Sequence, residues 1–176
     1  MKILVASDLH GSAFYARKLI ERIAKESPER VILLGDLLYH GPRNDLPEGY
    51  APKEVITLLS SLSPAPLCVR GNCEAEVDQM VLPFPVMDKF RTLSWEGKNI
   101  LCTHGHRELP DMNGVDILLC GHTHVPKAEE RENYLYLNCG SVSIPKENSP
   151  HSYLILENGV AVWKDLNGKE FMKQAL

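Results

Sequence analysis

Residues 4–10 of the chain read LVASDLH, an aliphatic run that breaks directly into an aspartate and a histidine. Short aliphatic runs bounded by turn residues are typical of buried strands. Four further segments share this arrangement, in which such a run ends beside side chains able to bind metal: ILLGDLL (32–38), LCVRGNCE (67–74), LCTHGH (101–106) and LLCGHTH (118–124). Ligands of α/β proteins bind beyond the carboxyl ends of strands, so these five ends predict one site.

Helix signals lie between the first strands. Ser12 is suited to start a helix whose apolar residues recur every three or four positions, and Ser27-Pro28 is suited to end it. Residues 30–34 are predicted to form the next strand, Pro52 to begin a second helix, and residues 66–69 to form a third strand. This alternation predicts an α/β arrangement.

The second half of the chain contains short strands without room for long helices between them, predicted over residues 90–95, 99–103, 115–120, 134–138 and 152–157. Asn158-Gly159 is typical of a type I′ hairpin turn into a strand over 160–163. We therefore predict a single α/β domain, residues 1–176, with two mixed β-sheets packed as a sandwich flanked by helices. The second sheet is expected to be rich in antiparallel pairs.

The composition is that of a globular protein: 44% of the 176 residues are hydrophobic and 24% are charged. The formal net charge of -4 provides no global basic surface, so stable nucleic-acid binding is not expected and an anionic substrate must be attracted locally. The aliphatic runs are far shorter than the roughly 18 residues of a membrane span. We expect no secretory signal, because the residues before Asp8 contain no apolar stretch of the length that such a signal needs. We expect no membrane association and a cytoplasmic location.

The five cysteines argue against a disulfide framework and against a zinc ribbon. Their number is odd, and no two of them form a CxxC pair. Free cysteine is among the most buried residue types. We therefore expect four of them to be small core residues: Cys68, Cys102, Cys120 and Cys139.

The strand ends offer a cluster of metal-binding side chains: Asp8, His10, Asp36, Asn72, His104, His106, His122 and His124. Two pairs, Asp8/His10 and His122/His124, are two residues apart, so on extended backbone both members of a pair would project to one side. Neighbouring glycines would allow close backbone approach: Gly35, Gly71, Gly105 and Gly121. The cluster predicts a metal site. His40 and His151 lack such neighbours and are expected to be solvated loop residues.

The series Asp-x-His at 8–10, Gly-Asp at 35–36, Gly-Asn at 71–72, His-Gly-His at 104–106 and Gly-His-x-His at 121–124 resembles the pattern of calcineurin-like metallophosphoesterases. Three longer segments are similar to the YfcE-type group of small bacterial phosphodiesterases: GPRNDLPEGYAPKEV (41–55), RGNCEAEVDQM (70–80) and NCGSVSIPK (138–146). The resemblance spans nearly the whole chain and implies the αββα-type fold of that family.

The resemblance implies two divalent metal ions with Asp36 as a ligand of both. The first ion would be held by Asp8, His10, Asp36 and His124, and the second by Asp36, Asn72, His104 and His122. These nitrogen and oxygen donors suit manganese, and equally iron, cobalt, nickel or zinc. A pair of such ions can lower the pKa of a water and bind phosphoryl oxygens, so no protein nucleophile is required.

Cys73 stands where larger members of the family have a histidine that protonates the leaving group. A thiol with a reference pKa of about 8.5 is a poorer acid for this purpose than imidazole. Cys73 is therefore both a catalytic candidate and a candidate packing residue. Asn72, Arg43 and His106 are further candidates for contact with substrate, Arg43 through a phosphate oxygen.

The resulting hypothesis is a metal-dependent phosphodiesterase acting on a small phosphodiester through a metal-activated water. A phosphomonoesterase is the alternative within enzymes. A non-catalytic scaffold is the alternative from another class, because the retromer subunit of this fold serves as a protein scaffold, although with a degraded metal pattern. The sequence leaves the formation of a homo-oligomer open.

Overall fold

The computed structural model describes residues 1–176, which form three helices and eleven strands. The helices are α1 (Ala13–Glu26), α2 (Pro52–Ser60) and α3 (Glu76–Val81). The strands are β1 (Ile3–Ala6), β2 (Arg30–Leu33), β3 (Leu67–Cys68), β4 (Arg91–Trp95), β5 (Lys98–Cys102), β6 (Ile117–Cys120), β7 (Lys127–Glu130), β8 (Leu135–Asn138), β9 (Ser152–Glu157), β10 (Val160–Asp165) and β11 (Glu170–Ala175).

The strands form two mixed sheets, as the sequence predicts. The six-stranded sheet has the order β11-β10-β9-β1-β2-β3, and the five-stranded sheet has the order β4-β5-β6-β8-β7. Strands β1, β2 and β3 pair in parallel, since helices connect them, while β9, β10 and β11 extend the same sheet in antiparallel fashion beside β1.

The expectation of an antiparallel-rich second sheet is wrong. Its central strands β5, β6 and β8 pair in parallel, and only the two outer pairings are antiparallel. The reason is the irregular segment 103–116, which carries the chain from the end of β5 back to the start of β6 without a helix. A crossover therefore replaces the expected hairpin.

The core between the sheets joins the inner faces of both. Aliphatic residues of β1 and β2 pack there against residues of β5, β6 and β8, and both tryptophans, Trp95 and Trp163, are fully buried in it. Burial of so much apolar surface is the main stabilising contribution to a domain of this size. This core fixes the relative position of the two sheets and therefore of the strand ends that carry the site.

The outer faces of the two sheets are covered differently. Residues of α1 and α2 pack on the six-stranded sheet, together with residues 82–86 that follow α3. A smaller cluster covers the five-stranded sheet, and its members outside the strands come from the connections around residues 90, 109–115 and 134. None of its residues lies in a helix, so helices flank the sandwich on the first sheet alone.

Local sequence signals place the helix and hairpin boundaries as predicted. The hydroxyl of Ser12 accepts the N–H of Tyr15 and caps α1, and Ser27 ends the helix in the left-handed conformation. Pro52 is the first residue of α2. Asn158 and Gly159 both have positive φ, of 51° and 71°, as a type I′ turn requires.

Three elements escape the sequence analysis: α3, β7 and β11. Strand β7 is an edge strand of the second sheet with no buried residue. Helix α3 has six residues, too few for a helical period, and its apolar residues Val77, Met80 and Val81 are exposed. Strand β11 is an edge strand whose residues are exposed or half-buried, so it carries no buried apolar run. His40 and His151 lie in loops, as expected, but both are half-buried rather than fully solvated, and His151 stacks on Tyr15.

The four cysteines expected in the core are buried, and all five cysteines are free thiols. None of the three helices combines the length and the apolar content that crossing a bilayer would need.

Glu26, at the end of α1, connects that helix to the first sheet. Its carboxylate accepts hydrogen bonds from Lys2 (2.8 Å), from Lys164 (2.9 Å) and from the hydroxyl of Tyr153 (2.9 Å). Burial alone would raise the pKa of Glu26, but these three donors outweigh it and lower the pKa to about 2. A carboxylate whose pKa is lowered by folding stabilises the fold at pH values above the pKa that it has in the unfolded chain. This stabilisation is lost as the pH falls through the pKa that it has in the folded chain.

We expect Glu26→Gln to lower the free energy of unfolding by about 1 kcal/mol at neutral pH. The difference from wild type should shrink as the pH falls from about 5 to about 2, because Glu26 itself then becomes neutral. Urea unfolding at several pH values measures both. Glu21→Gln, at an exposed position of the same helix, is the matched control. A stability difference that is independent of pH would contradict the assignment.

Candidate metal centre

The ends of five strands meet at one edge of the sandwich around two aspartates. Asp8 follows β1, Asp36 follows β2, and both residues are at most 1% exposed. The Nε2 atom of His104 lies 3.3 Å from Oδ2 of Asp36 and 4.0 Å from Oδ1 of Asp8. The Nε2 atom of His10 lies 3.7 Å and 3.5 Å from the same two oxygens. The structure thus brings strand ends of both sheets to one point.

The other three ligand candidates complete this cluster. His124 Nε2 lies 3.2 Å from Oδ1 of Asp8. Asn72 Oδ1 lies 3.1 Å from Nε2 of His104. The ring of His122 lies 5.0 Å from that of His104, and its backbone N–H donates to Oδ2 of Asp8 (3.0 Å). The seven side chains predicted as metal ligands therefore occupy one cluster.

Three of the histidines are held in one tautomer and orientation by the backbone. Each donates its Nδ1–H to a carbonyl oxygen: His10 to Tyr39 (2.9 Å), His104 to Leu34 (2.6 Å) and His124 to Ile144 (2.7 Å). In the neutral imidazole the other ring nitrogen is then an acceptor, as in histidines that ligate metals. All three Nε2 lone pairs consequently face the aspartates.

These atoms fit a cation. Oδ1 of Asp8 is buried and has no hydrogen-bond donor, and the Nε2 atoms of His10 and His124 face each other at 3.3 Å. One potential metal-ligand atom from each of Asp8, His10 and His124 lies within 4.8 Å of the others, and the same holds for Asp8, Asp36 and His104. Acceptors that converge without a donor require positive charge between them. The donor set therefore suits divalent metal ions.

Protons supply that positive charge when no metal is bound. Burial would raise the pKa of the Asp8 carboxyl, but the His10 and His124 imidazoles outweigh it and hold the pKa well below its usual range. Burial likewise opposes protonation of His104, yet the hydrogen bond to Asp36 and the charge of Asp8 raise its pKa to about 9. A metal ion entering this cluster must displace these protons.

The backbone conformation of the ligands differs from the expectation. Extended backbone was expected to align each pair of residues two apart, but five ligands have positive φ: Asp8 (59°), His10 (46°), Asp36 (54°), His122 (69°) and His124 (62°). Non-glycine residues rarely adopt this left-handed conformation, and such residues concentrate at functional sites. The pairs converge because the chain turns sharply at each ligand rather than because it is extended.

Three of the four neighbouring glycines are required for space. A Cβ atom on Gly35 would collide with the backbone of Gly71, and one on Gly71 would collide with the carboxylates beside it. A Cβ on Gly121 would collide with Ser7 and lie 2.8 Å from Oδ2 of Asp8. A Cβ on Gly105 would make only ordinary van der Waals contact, 3.5 Å from Cβ of Cys120, so its φ of 103° is the reason for glycine there.

Glu74 is a buried carboxylate that the sequence analysis missed. It accepts the backbone N–H groups of Asp36 (2.9 Å), Leu37 (2.7 Å) and Gly71. Burial and then the charge of Asp36 raise the pKa of Glu74 to about 7. Its position two residues after Asn72 in RGNCE was the available signal. Glu74 fastens the loop after β2 to the loop after β3 and so fixes the relative position of Asp36 and Asn72.

Cys73 lies at the edge of the cluster. Its backbone N–H donates to Oδ1 of Asp36 (2.8 Å), and the amide of Asn72 donates to its sulfur (3.2 Å). The sulfur lies within 4.8 Å of ligand atoms of His10 and Asp36. Burial and then the charge of Asp36 raise the pKa of the half-buried thiol. The thiol therefore keeps its proton at neutral pH and is a weak acid.

A polar cleft of about 910 Å³ opens onto the cluster. Arg43, Asn72 and Cys73 line it, together with Thr123 and with Lys146, which the sequence analysis did not select. Neither Arg43 nor Lys146 forms a salt bridge within the chain. These cations can attract an anionic group locally, as an acidic chain requires.

His106 lies outside this cleft. Its ring packs 5.3 Å from that of His104 and 5.9 Å from that of His122, and it lines a neighbouring depression with Lys89 and Arg107. Burial and then the positive charge of His104 lower the pKa of His106 to about 4. The structure therefore places His106 next to the rings of two ligands and outside the cleft that Arg43 and Asn72 line.

Comparison with known proteins identifies relatives along the whole chain. A family model described as the calcineurin-like phosphoesterase superfamily domain matches residues 1–159. Phosphodiesterase YfcE of Escherichia coli strain K12 is 43% identical over 178 aligned residues, covering 99% of this chain and 97% of that protein. A solved structure of YfcE, a phosphoesterase from E. coli, has a TM-score of 0.94 at 42% identity and covers 99% of both chains.

A more distant structure shares the fold alone. Wild-type Vps29 from Entamoeba histolytica, complexed with Zn²⁺, is 19% identical and has a TM-score of 0.64 over 99% of both chains. The family model and the identity to YfcE, in contrast, cover the strand ends from which the cluster is built. The chain belongs to the calcineurin-like phosphoesterase superfamily.

Proposed function

We propose that this protein is a metal-dependent phosphodiesterase that hydrolyses small phosphodiesters at the centre around Asp8 and Asp36. The observation that carries the proposal is the convergence of three backbone-oriented imidazole Nε2 atoms on two buried carboxylates. The identity of 43% to a protein named phosphodiesterase YfcE over nearly the full chain supports the reaction class.

The centre would hold two divalent ions. We assign Asp8, His10, Asp36 and His124 to the first position, and Asp36, Asn72, His104 and His122 to the second. This mixture of nitrogen and oxygen donors suits manganese, with iron, cobalt, nickel and zinc as alternatives. Two such ions would supply an activated water at neutral pH and positive charge for the phosphoryl oxygens.

The residues of the chain orient this centre before any ligand binds. The N–H of Cys73 engages Oδ1 of Asp36, which leaves Oδ2 facing His104. Glu74 fixes the backbone of Asp36, and backbone carbonyls fix three imidazole rings. Preorganised ligands cost little reorganisation during the reaction.

Contact with the substrate is assigned to residues of the cleft. We propose that Arg43 and Asn72 contact phosphate oxygens, since both line the cleft that opens onto the cluster. His106 packs behind His104 and His122, so its contribution is to position these rings, and direct contact with the substrate is the less supported role for it.

The Cys73 thiol favours diesters with good leaving groups. A thiol, with an ordinary pKa of about 8.5, is a poorer match than imidazole to the task of protonating a departing oxygen at neutral pH. Aryl and similarly acidic leaving groups need little protonation. A monoester dianion brings additional negative charge to the same site, so a phosphomonoesterase is the less favoured alternative.

A protein-interaction scaffold of the same fold is the alternative outside enzymes. The complete and oriented ligand set favours catalysis over this role, because a scaffold needs no convergent unsatisfied acceptors. Five free thiols are typical of a reducing compartment, and we propose a cytoplasmic location on that ground. A homo-oligomer is compatible with the proposal and is not required by it.

We expect Asp36→Asn to reduce kcat/KM for a diester by at least about two orders of magnitude and to lower the bound metal per chain. An amide cannot supply the negative charge that both positions share. Hydrolysis of bis(4-nitrophenyl) phosphate with added Mn²⁺, together with elemental analysis, measures both effects. Asp45→Asn, an exposed aspartate in the loop that follows, is the matched control.

Removal of metal by EDTA should abolish activity and leave the far-UV circular dichroism nearly unchanged, because the two apolar cores are independent of the centre.

For the Asp36→Asn variant, two full equivalents of bound metal and undiminished activity would refute the assignment of the centre.

We expect Cys73→His to raise kcat/KM selectively for substrates with poor leaving groups, by about tenfold, because imidazole is a better proton donor at neutral pH. Matched nitrophenyl and alkyl monoesters and diesters provide the four values to compare. Cys73→Ser retains the size of the side chain without an imidazole and should show no such selectivity. A preference of the wild type for monoesters, or an equal decrease of all four values in Cys73→His, would contradict the argument.

A further inference from the structure

The segment 138–146, NCGSVSIPK, contributes no candidate metal ligand, yet it is hydrogen-bonded to the loops that carry Asp8 and His124. Its residues are buried up to Ser143, and several of their polar groups make hydrogen bonds to the loops that carry ligands. We name residues 138–146 the support segment.

Two serines of the support segment converge on one backbone atom of a ligand. The hydroxyls of Ser141 and Ser143 both donate to the carbonyl oxygen of Asp8, each at 2.9 Å, and the N–H of Ser143 lies 3.3 Å from it. Asp8 has the left-handed conformation, with φ of 59°. This conformation is unfavourable for aspartate unless its surroundings hold it. The serine pair therefore holds the turn that aims the Asp8 carboxylate at His124.

The support segment also fixes His124 itself. The carbonyl of Ile144 accepts the Nδ1–H of the His124 ring (2.7 Å), and the N–H of Lys146 donates to the His124 carbonyl (3.2 Å). The amide of Asn138 donates to the carbonyl of Gly121 (2.6 Å) in the same loop. Asp8 and His124 are both ligands of the first position.

No hydrogen bond from the support segment reaches Asp36, Asn72 or His104. Those residues are held by Glu74, by Cys73 and by the carbonyl of Leu34. Three of the four second-position ligands are thus held by the loops after β2 and β3 and not by the support segment. The fourth, His122, lies in the same loop as His124, and its backbone N–H donates to Oδ2 of Asp8 (3.0 Å).

We propose that Ser141 and Ser143 are positioning residues that set the metal affinity of the first position more strongly than that of the second. The inference rests on the two-metal centre of the proposed function. Outer residues that orient ligands typically change metal affinity 10- to 100-fold when they are removed. Loss of both hydroxyls frees the Asp8 carbonyl and, with it, the orientation of the carboxylate.

The test compares one change in two backgrounds. Asn72→Ala removes a ligand of the second position and leaves the first, whereas His124→Ala removes a ligand of the first and leaves the second. Ser141→Ala/Ser143→Ala is added to each in the full chain. Equilibrium dialysis against Mn²⁺ alone, followed by elemental analysis, gives the free Mn²⁺ concentration at half-saturation. We expect an increase of about tenfold in the Asn72→Ala background and a clearly smaller one in the His124→Ala background, where only His122 is linked to Asp8.

Ser152→Ala distinguishes positioning from general stabilisation. Ser152 is equally buried, and its hydroxyl donates to the carbonyl of Cys139 (2.9 Å) without touching Asp8. This variant should lower stability in urea and leave the half-saturating Mn²⁺ concentration unchanged. Ser143→Ala alone, with a smaller shift expected, replaces the double variant if circular dichroism shows that the double variant is unfolded.

Equal shifts in both backgrounds, or no shift in the Asn72→Ala background, would overturn the inference. Wild type that binds no Mn²⁺ would overturn it together with the metal centre. Mn²⁺ binding is measured without substrate. Normal Mn²⁺ uptake without hydrolysis of diesters would therefore count against the proposed function, while the shifts in the half-saturating Mn²⁺ concentration would still decide this inference.

Discussion

The Asp8 and Asp36 carboxylates are buried beside the same imidazole, His104, and their negative charge must be compensated by positive charge nearby. Much of the structure around them provides groups that can carry or bind this positive charge. Both residues are almost completely inaccessible, and the burial of an uncompensated carboxylate is costly. A protonated His104, whose pKa is raised to about 9, would supply positive charge without metal, and divalent ions would supply it in the proposed enzyme. The same electrostatic constraint accounts for the lowered pKa of Asp8, the raised pKa of His104 and the predicted selectivity for an anionic substrate.

The geometry of the centre is maintained by hydrogen bonds from residues that are not ligands themselves. Five ligands have left-handed backbone conformations that aspartate and histidine adopt rarely. Their conformations are held by backbone carbonyls that accept the imidazole Nδ1–H groups, by Glu74 and by the serine pair of the support segment. These supports come from the loops after β2 and β3 and from the chain after β8. The centre therefore depends on the packing of both sheets.

The site combines seven candidate metal ligands with a neighbouring thiol, Cys73, for which we propose a role at the leaving group. The 43% identity to phosphodiesterase YfcE extends along nearly the whole chain, whereas the similarity to Vps29 concerns the fold. The Cys73 thiol is desolvated and lies beside the negative charge of Asp36, so it holds its proton. In the proposed reaction a thiol gives little help to a poor leaving group. Cys73 would therefore favour diesters whose leaving groups are already acidic.

The sequence by itself determined the two mixed sheets, the first two helices, the Asn158-Gly159 hairpin and the seven candidate ligands, because these depend on apolar periodicity, on capping residues and on ligand types at strand ends. Tertiary structure decided the rest. The parallel centre of the second sheet depends on the path of residues 103–116, which carry no periodic signal. The left-handed ligand conformations, the role of Glu74 and the contact of two serines with Asp8 arise from residues distant in sequence. Such contacts depend on the packing of the core between the sheets, so they produce no recognisable pattern in the local sequence.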